Sequence, residues 1–177
     1  MGNTALEIML ELQKDSDFQQ RKKEQDRVFD ELHQKYASDE RDLVIELQQV
    51  GLEVNSVWEL MGLDSDYSCA ESILQKHLLL EHHPRIKSGV VRSLANESFI
   101  KNDELWNTLC EMYSSTLPDR QIKEPEMKGV QESIATAIDE LASLERLSEL
   151  KAIISANEGA DGLIWLKEKV LVLEQEM

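Results

Sequence analysis

The chain has 177 residues, long enough for one domain of ordinary size with a contiguous core. Aromatic residues make up 5% of it, beside seven glycines and three prolines, a composition that favours long helices over a sheet-rich sandwich. Its formal charge of −16 repels phosphate backbones, which excludes general nucleic-acid binding, and attracts basic partners at long range.

Asn3 or Thr4 caps a predicted short helix carrying Leu6, Met9 and Leu10, and Asp15-Ser16-Asp17 interrupts it. From Phe18 to Tyr36 the pattern is helical but thinly apolar. Val28, Phe29, Leu32 and Tyr36 form one narrow stripe, expected to hold a solvated helix to the core. Arg21-Lys22-Lys23 is interleaved with Glu24, Asp26, Asp30 and Glu31, so this segment reads as a solvated face and not as a nucleic-acid arm. Ser38 is the expected cap of the next helix, in which Leu43, Val44, Leu47 and Val50 recur at helical spacing before Gly51 stops it.

Asn55-Ser56 caps a short helical turn with Val57, Trp58, Leu60 and Met61, followed by a loop through Gly62, Asp64, Ser65 and Asp66. Ser68 and Glu71 have the spacing of a capping box. The helix they open carries Ile73, Leu74, His77 and Leu78 and ends before Pro84, which starts its partner with Ile86, Val90, Val91 and Leu94. Asn102-Asp103 caps a helix with Trp106, Leu109 and Tyr113. Pro125 is expected to open the next, with Val130, Ile134, Ile138 and Leu141 on one face, and Ser143 to cap Leu144–Ile154. Gly159 and Gly162 precede a last helix containing Leu163, Leu166, Val170 and Leu173.

An internal repeat runs through this region. Gly89-Val90-Val91-Arg92-Ser93-Leu94-Ala95 returns 40 residues later as Gly129-Val130-Gln131-Glu132-Ser133-Ile134-Ala135. Each copy is followed by a second apolar helical pattern, and two-helix units at this period are what HEAT or armadillo arrays write into sequence. A helix-interior glycine costs about 0.5–1 kcal/mol against alanine, so its recurrence predicts a close helix approach in each repeat. The fold class expected is all-α, a right-handed α-solenoid of HEAT-like helical hairpins. Residues 1–51 form an N-terminal helical segment packed on the array, and residues 52–177 form the repeats with a C-terminal capping helix, all within a single domain.

Chemistry-bearing patterns are sparse. Cys69 and Cys110 lack a Cys-x-x-Cys spacing and read as small buried hydrophobes. His77, Glu81, His82 and His83 cluster at a helix C-terminus, where the helix dipole already favours imidazole, and the His-Glu-x-x-His order is missing, so no metal is expected. With no nucleophile, catalytic residue or cofactor motif in view, an enzyme is not the expected reading. Between Ile73 and Asn102, five cations against Glu81 and Glu97 leave a local charge of +3. Of these, Arg85, Lys87 and Arg92 form a candidate anion clamp, weighed against simple pairing with neighbouring carboxylates. The stronger partner signal is acidic: Glu132, Asp139, Glu140, Glu145 and Glu149 in the second repeat, with Glu104 and Glu111 near Trp106 and Tyr113 in the first. No stretch of about 18 apolar residues occurs, so neither a membrane span nor a signal peptide is expected, and the cytoplasm is the expected compartment.

The run Ser56-Val57-Trp58-Glu59-Leu60, Ile73-Leu74-x-x-His77-Leu78, Pro84 to Ala95 and Trp106 resembles a family of small bacterial HEAT-like repeat proteins, over a span reaching about Ala156. The resemblance implies a helical-repeat fold without an assigned activity, and fold does not carry function. Some small acidic HEAT-like bacterial proteins serve as immunity proteins to toxins. By analogy with them, the expected function is a non-catalytic module that binds a basic protein. The alternatives are a structural scaffold, homo-oligomeric through the C-terminal helix around Trp165 and Leu166, and a metal-dependent or anion-binding enzyme using the His77–Arg92 region.

Overall fold

A computed structural model of the chain describes residues 15–63 and 66–177. All the regular structure among them is helical. The helices are α1 (Ser16–Asp39), α2 (Arg41–Gln49), α3 (Glu71–Leu79), α4 (Pro84–Leu94), α5 (Asp103–Ser115), α6 (Val130–Leu141), α7 (Leu147–Ala156) and α8 (Leu163–Gln175). The helix expected around Leu6 and Met9 lies outside the described residues. No helix among the described residues is long and apolar enough to cross a membrane.

The residues group into two units, divided between Ser38 and Asp39. In the first, Asp15 caps α1 by accepting from the amides of Asp17 (2.9 Å) and Phe18 (3.2 Å). Arg27 bridges Glu24 and Glu31 along one face. The stripe expected to reach a core does not: none of the α1 residues is buried, and Phe29 is 61% exposed.

The second unit holds the core. Here α2 contacts α3. Two rows of elements make up the unit. One contains α2, α3, α5 and α7; the other contains the short 3-10 turn Val57–Gly62, then α4, α6 and α8, each touching the next. The rows are joined by the helix pairs α3–α4, α5–α6 and α7–α8. Leu74, Leu78, Ile86, Val90, Leu94, Leu109, Ile134, Ile138, Leu150 and Leu166 fill the space between them at 0–2% exposure, each worth about 1.5–3 kcal/mol in apolar area removed from water.

Polar groups tie each pair to the next at a near-constant interval. Ser88 Oγ donates to the Gly129 carbonyl and Arg92 Nε to Ser133 Oγ, both across 41 residues. Asp103 meets Arg146, Trp106 meets Glu149 and Ser114 meets Asn157, each across 43. These separations lie close to the 40-residue offset of the sequence repeat.

Several helix ends differ from expectation. Ser38 lies inside α1, and α2 starts instead behind Glu40, whose buried carboxylate accepts from Ser56 Oγ (2.9 Å) and the Val57 amide (3.0 Å). The Ser68–Glu71 capping box does not form. Asp66 accepts from both the amide and the hydroxyl of Ser68, while Glu71 accepts from Gln75 and Asn102. Pro125 starts a 3-10 turn that ends at Met127, and α6 begins only after Gly129. Ser143 makes no side-chain cap; a 3-10 turn, Leu144–Arg146, precedes α7.

The two repeated glycines play different roles. Gly89 lies within α4, where an added Cβ would stand 2.6 Å from Val57 Cγ1 and 3.0 Å from the Trp58 indole. Gly129 caps α6 at φ +88°, and nothing would touch its Cβ. The close approach predicted for both therefore exists at Gly89 alone, while Gly129 is used for a left-handed turn. Gly89→Ala is expected to destabilise: overpacking costs about 1–3 kcal/mol against a helix-propensity gain of roughly 0.5–1. Urea unfolding reads the net effect, and a raised midpoint would contradict the tight contact.

Candidate functional site

The acidic residues singled out from the sequence divide between the two rows. Glu104 and Glu111, seven residues apart on α5, are exposed, as are Glu145, in the turn before α7, and Glu149 on α7. Glu132, Asp139 and Glu140 lie on α6 in the other row. Among the described residues none of these seven carboxylates has an ion-pair partner within 4 Å. Residues 39–177 carry 27 carboxylates against 13 Lys and Arg, leaving −14 of the −16 on this unit.

The two groups differ electrostatically. Burial raises the Asp139 carboxyl above the ordinary carboxylate range, with Lys169 opposing and Glu140 and Glu168 adding to the rise. Glu132 is half-buried on the same helix, where Arg92 Nε donates to Ser133 Oγ at 3.2 Å. Glu149 accepts from Trp106 Nε1 at 2.6 Å while remaining exposed. The α5–α7 group is thus the more fully solvated.

Trp106 and Tyr113, expected beside these carboxylates as contact residues, are 2% and 0% exposed. They belong to the core because they point into the α5–α7 and α5–α6 seams. Trp106 is stacked on the Arg146 guanidinium at 4.9 Å, and Tyr113 Oη donates to the Asp161 carbonyl at 2.9 Å. Burial pushes the Tyr113 phenol up to about 12, with Asp161 adding.

The three cations considered as an anion clamp do not converge. Arg85 lies over the Trp58 ring at 5.4 Å, and Arg92 is engaged with Ser133. Lys87 Nζ donates to the Leu78 carbonyl at 2.6 Å and to that of Leu80, closing the C-terminal end of α3. Burial lowers the Lys87 ammonium from its ordinary range, opposed by Asp39 and Glu81.

The cysteines also part company. Cys69 is exposed, against the expectation of burial, because it lies on a 3-10 turn that faces outward. Cys110 is partly covered, and burial, reinforced by Glu149, pushes its thiol up to about 12, which leaves no thiolate for nucleophilic chemistry near neutral pH.

The histidine cluster is real, but its partners are not the expected ones. His77, at 2% exposure, faces His82 and Glu46, while Glu81 is exposed. Asp39 and Glu46, unremarked in the sequence, complete the cluster from α1 and α2. No local signal could have found them, since they lie 43 residues before His82 and 31 before His77. Among the described residues no group of three or more His, Cys, Asp and Glu side chains is arranged to hold a metal ion.

Compared with protein-family models, curated proteins and solved structures, the chain matches none.

Proposed function

We propose that this chain is a non-catalytic protein-binding module, built as a right-handed α-solenoid of HEAT-like hairpins, whose acidic surface captures a basic protein. The concrete form of this reading is an immunity protein that covers the cationic active site of a toxin. What carries it is the set of solvated carboxylates on neighbouring elements, Glu104, Glu111, Glu145 and Glu149, none of them paired with a cation among the described residues. Exposed charges of one sign raise association rates with an oppositely charged partner and pay little desolvation before contact. The regular tie between hairpins across 41–43 residues supports the repeat architecture, which presents such groups along an extended face.

The test is the triple variant Glu104→Gln, Glu111→Gln and Glu145→Gln, which spares the Trp106–Glu149 contact. A basic partner captured at low ionic strength and identified by mass is expected to bind the variant at least tenfold more weakly, with a flatter salt dependence. Unchanged affinity and salt response would remove the acidic surface from the reading.

A homo-oligomeric scaffold is the second reading, favoured by one observation. Ile164, Trp165, Leu171 and Val172 of α8 are 37–64% exposed, a concentration of apolar side chains on the last helix. Leu166, expected to take part, is fully buried and belongs to the core. Sedimentation at high protein concentration distinguishes the two, since a strict monomer excludes the scaffold.

A further inference from the structure

The imidazoles of His77 and His82 lie end to end in the interior, with 2% and 6% of their side chains exposed. His77 Nδ1 is 3.0 Å from His82 Nε2. The outer nitrogens each face a carboxylate: His82 Nδ1 is 3.2 Å from Asp39 Oδ2, and His77 Nε2 is 3.6 Å from Glu46 Oε1. Asp39 Oδ2 also accepts from the His83 amide at 2.9 Å. Four segments meet in this chain of groups: the end of α1, α2, α3 and the loop leading into α4.

A nitrogen–nitrogen contact of 3.0 Å holds one hydrogen, because one partner must donate and the other accept. A neutral pair satisfies this, and so does a pair carrying one positive charge. An imidazolium donates from both nitrogens, so with both rings protonated two N–H groups would point at each other and two cations would be in contact. The interior contact is incompatible with that state.

We propose that the His77–His82 pair is an acid-opened latch: the second proton drives the rings apart and releases α2 and the Asp39 end of α1 from α3.

The surroundings set the direction of the response. Glu46 favours positive charge on His77 and Lys76, bonded to Glu46 at 2.6 Å, opposes it; Asp39 Oδ2 faces His82 Nδ1, and Lys87 lies near Asp39 and Glu81. His83 lies beside the pair through its amide on Asp39. Lys76 holds Glu46 below the usual carboxylate range, so Glu46 keeps its charge through mild acid. Burial lowers His77 from its ordinary value of 6.5, with the charge of His82 adding and Glu46 opposing. The unfolded or opened His77 takes its proton near 6.5 while the closed one resists, so the opened state binds more protons below that pH and closure weakens as pH falls.

Hydrogen exchange of the full chain between pH 7.5 and 5, corrected for the intrinsic pH dependence of exchange, tests this. The opening constant for amides of α2 is expected to rise by up to tenfold per pH unit below about 6.5, the signature of one proton, while α6 keeps its protection. His77→Gln keeps a donor toward His82 and cannot charge, and its α2 response is expected to be flat. An unaltered response in that variant, or equal loss of protection in α6, would overturn the latch. Ring nitrogen shifts of the wild-type protein give a second reading that needs no variant. The His77–His82 contact should be lost together with α2 protection; two rings each titrating near 6.5 with α2 still protected would also overturn it.

Discussion

Trp106→Ala is expected to lower the unfolding free energy by about 3–5 kcal/mol, the range for removing a large aromatic side chain from a packed interior. Trp106 is 2% exposed in the first turn of α5, stacked on the guanidinium of Arg146, itself 6% exposed, and its indole N–H donates to Glu149. Truncation leaves a cavity beneath Arg146, which also donates to the Leu141 carbonyl and to Asp103. Trp106→Phe keeps most of the apolar volume and loses the hydrogen bond to an exposed carboxylate that water can replace, so its cost is expected to be smaller, about 1–2 kcal/mol. Urea denaturation followed by circular dichroism measures both. A Trp106→Ala protein with the wild-type midpoint would mean that the side chain is not in the core, and would restore it as a candidate contact residue.

Gln131→Leu is expected to cost about 3 kcal/mol, although it places an apolar residue at a buried position. Gln131 is 3% exposed and joins three segments: its Nε2 donates to the carbonyls of Tyr113 (3.1 Å) and Thr116 (2.7 Å), and its Oε1 accepts from the Asp161 amide at 2.8 Å. Leucine leaves two carbonyls and one amide without partners, and each buried orphan costs about 1–3 kcal/mol before relaxation. Gln131→Glu should be comparably harmful, because a carboxylate accepts where two donors are needed. Denaturant unfolding together with exchange of the Asp161 amide checks the claim. A neutral Gln131→Leu would show that the carbonyls are reached by water.

This glutamine stands where the repeat places Val91 in the earlier copy, and the difference shows what a local pattern contains. Both positions face inward on their helices, which the spacing of Val130, Ile134, Ile138 and Leu141 already implies. Whether an inward position takes an apolar or a polar side chain depends on what lies opposite. Val91 is fully buried with an apolar side chain. At Gln131 the surroundings include the carbonyls at the end of α5 and a loop amide.

The acidic surface was legible as composition but not as geometry. Glu104, Glu111, Glu145 and Glu149 emerge together on the α5–α7 row, while Glu132, Asp139 and Glu140 face from α6, a division that depends on which row each helix joins. Residue type alone does not decide a helical cap: Ser56 caps its turn by accepting from the Trp58 amide, whereas Ser38, Ser68 and Ser143 do not cap theirs. Ser38 and Ser68 were passed over in favour of a continuing helix and of Asp66, because each cap competes with hydrogen bonds from elsewhere in the chain.

What the sequence sufficed to determine is local and periodic. Apolar side chains at three- and four-residue spacing must share a helix face, Gly51 and Gly162 allow the positive φ at which helices end or begin, and the 40-residue recurrence anticipates the hydrogen bonds that span 41–43 residues between hairpins. Tertiary structure alone decided the rest. The repeated glycine became a close contact at Gly89 and a turn at Gly129; Trp106 and Tyr113 went into the core; and His77 and His82 met Glu46 and Asp39. In each case the outcome follows from groups tens of residues away, whose distance, charge and hydrogen-bonding capacity exist only once the helices have packed.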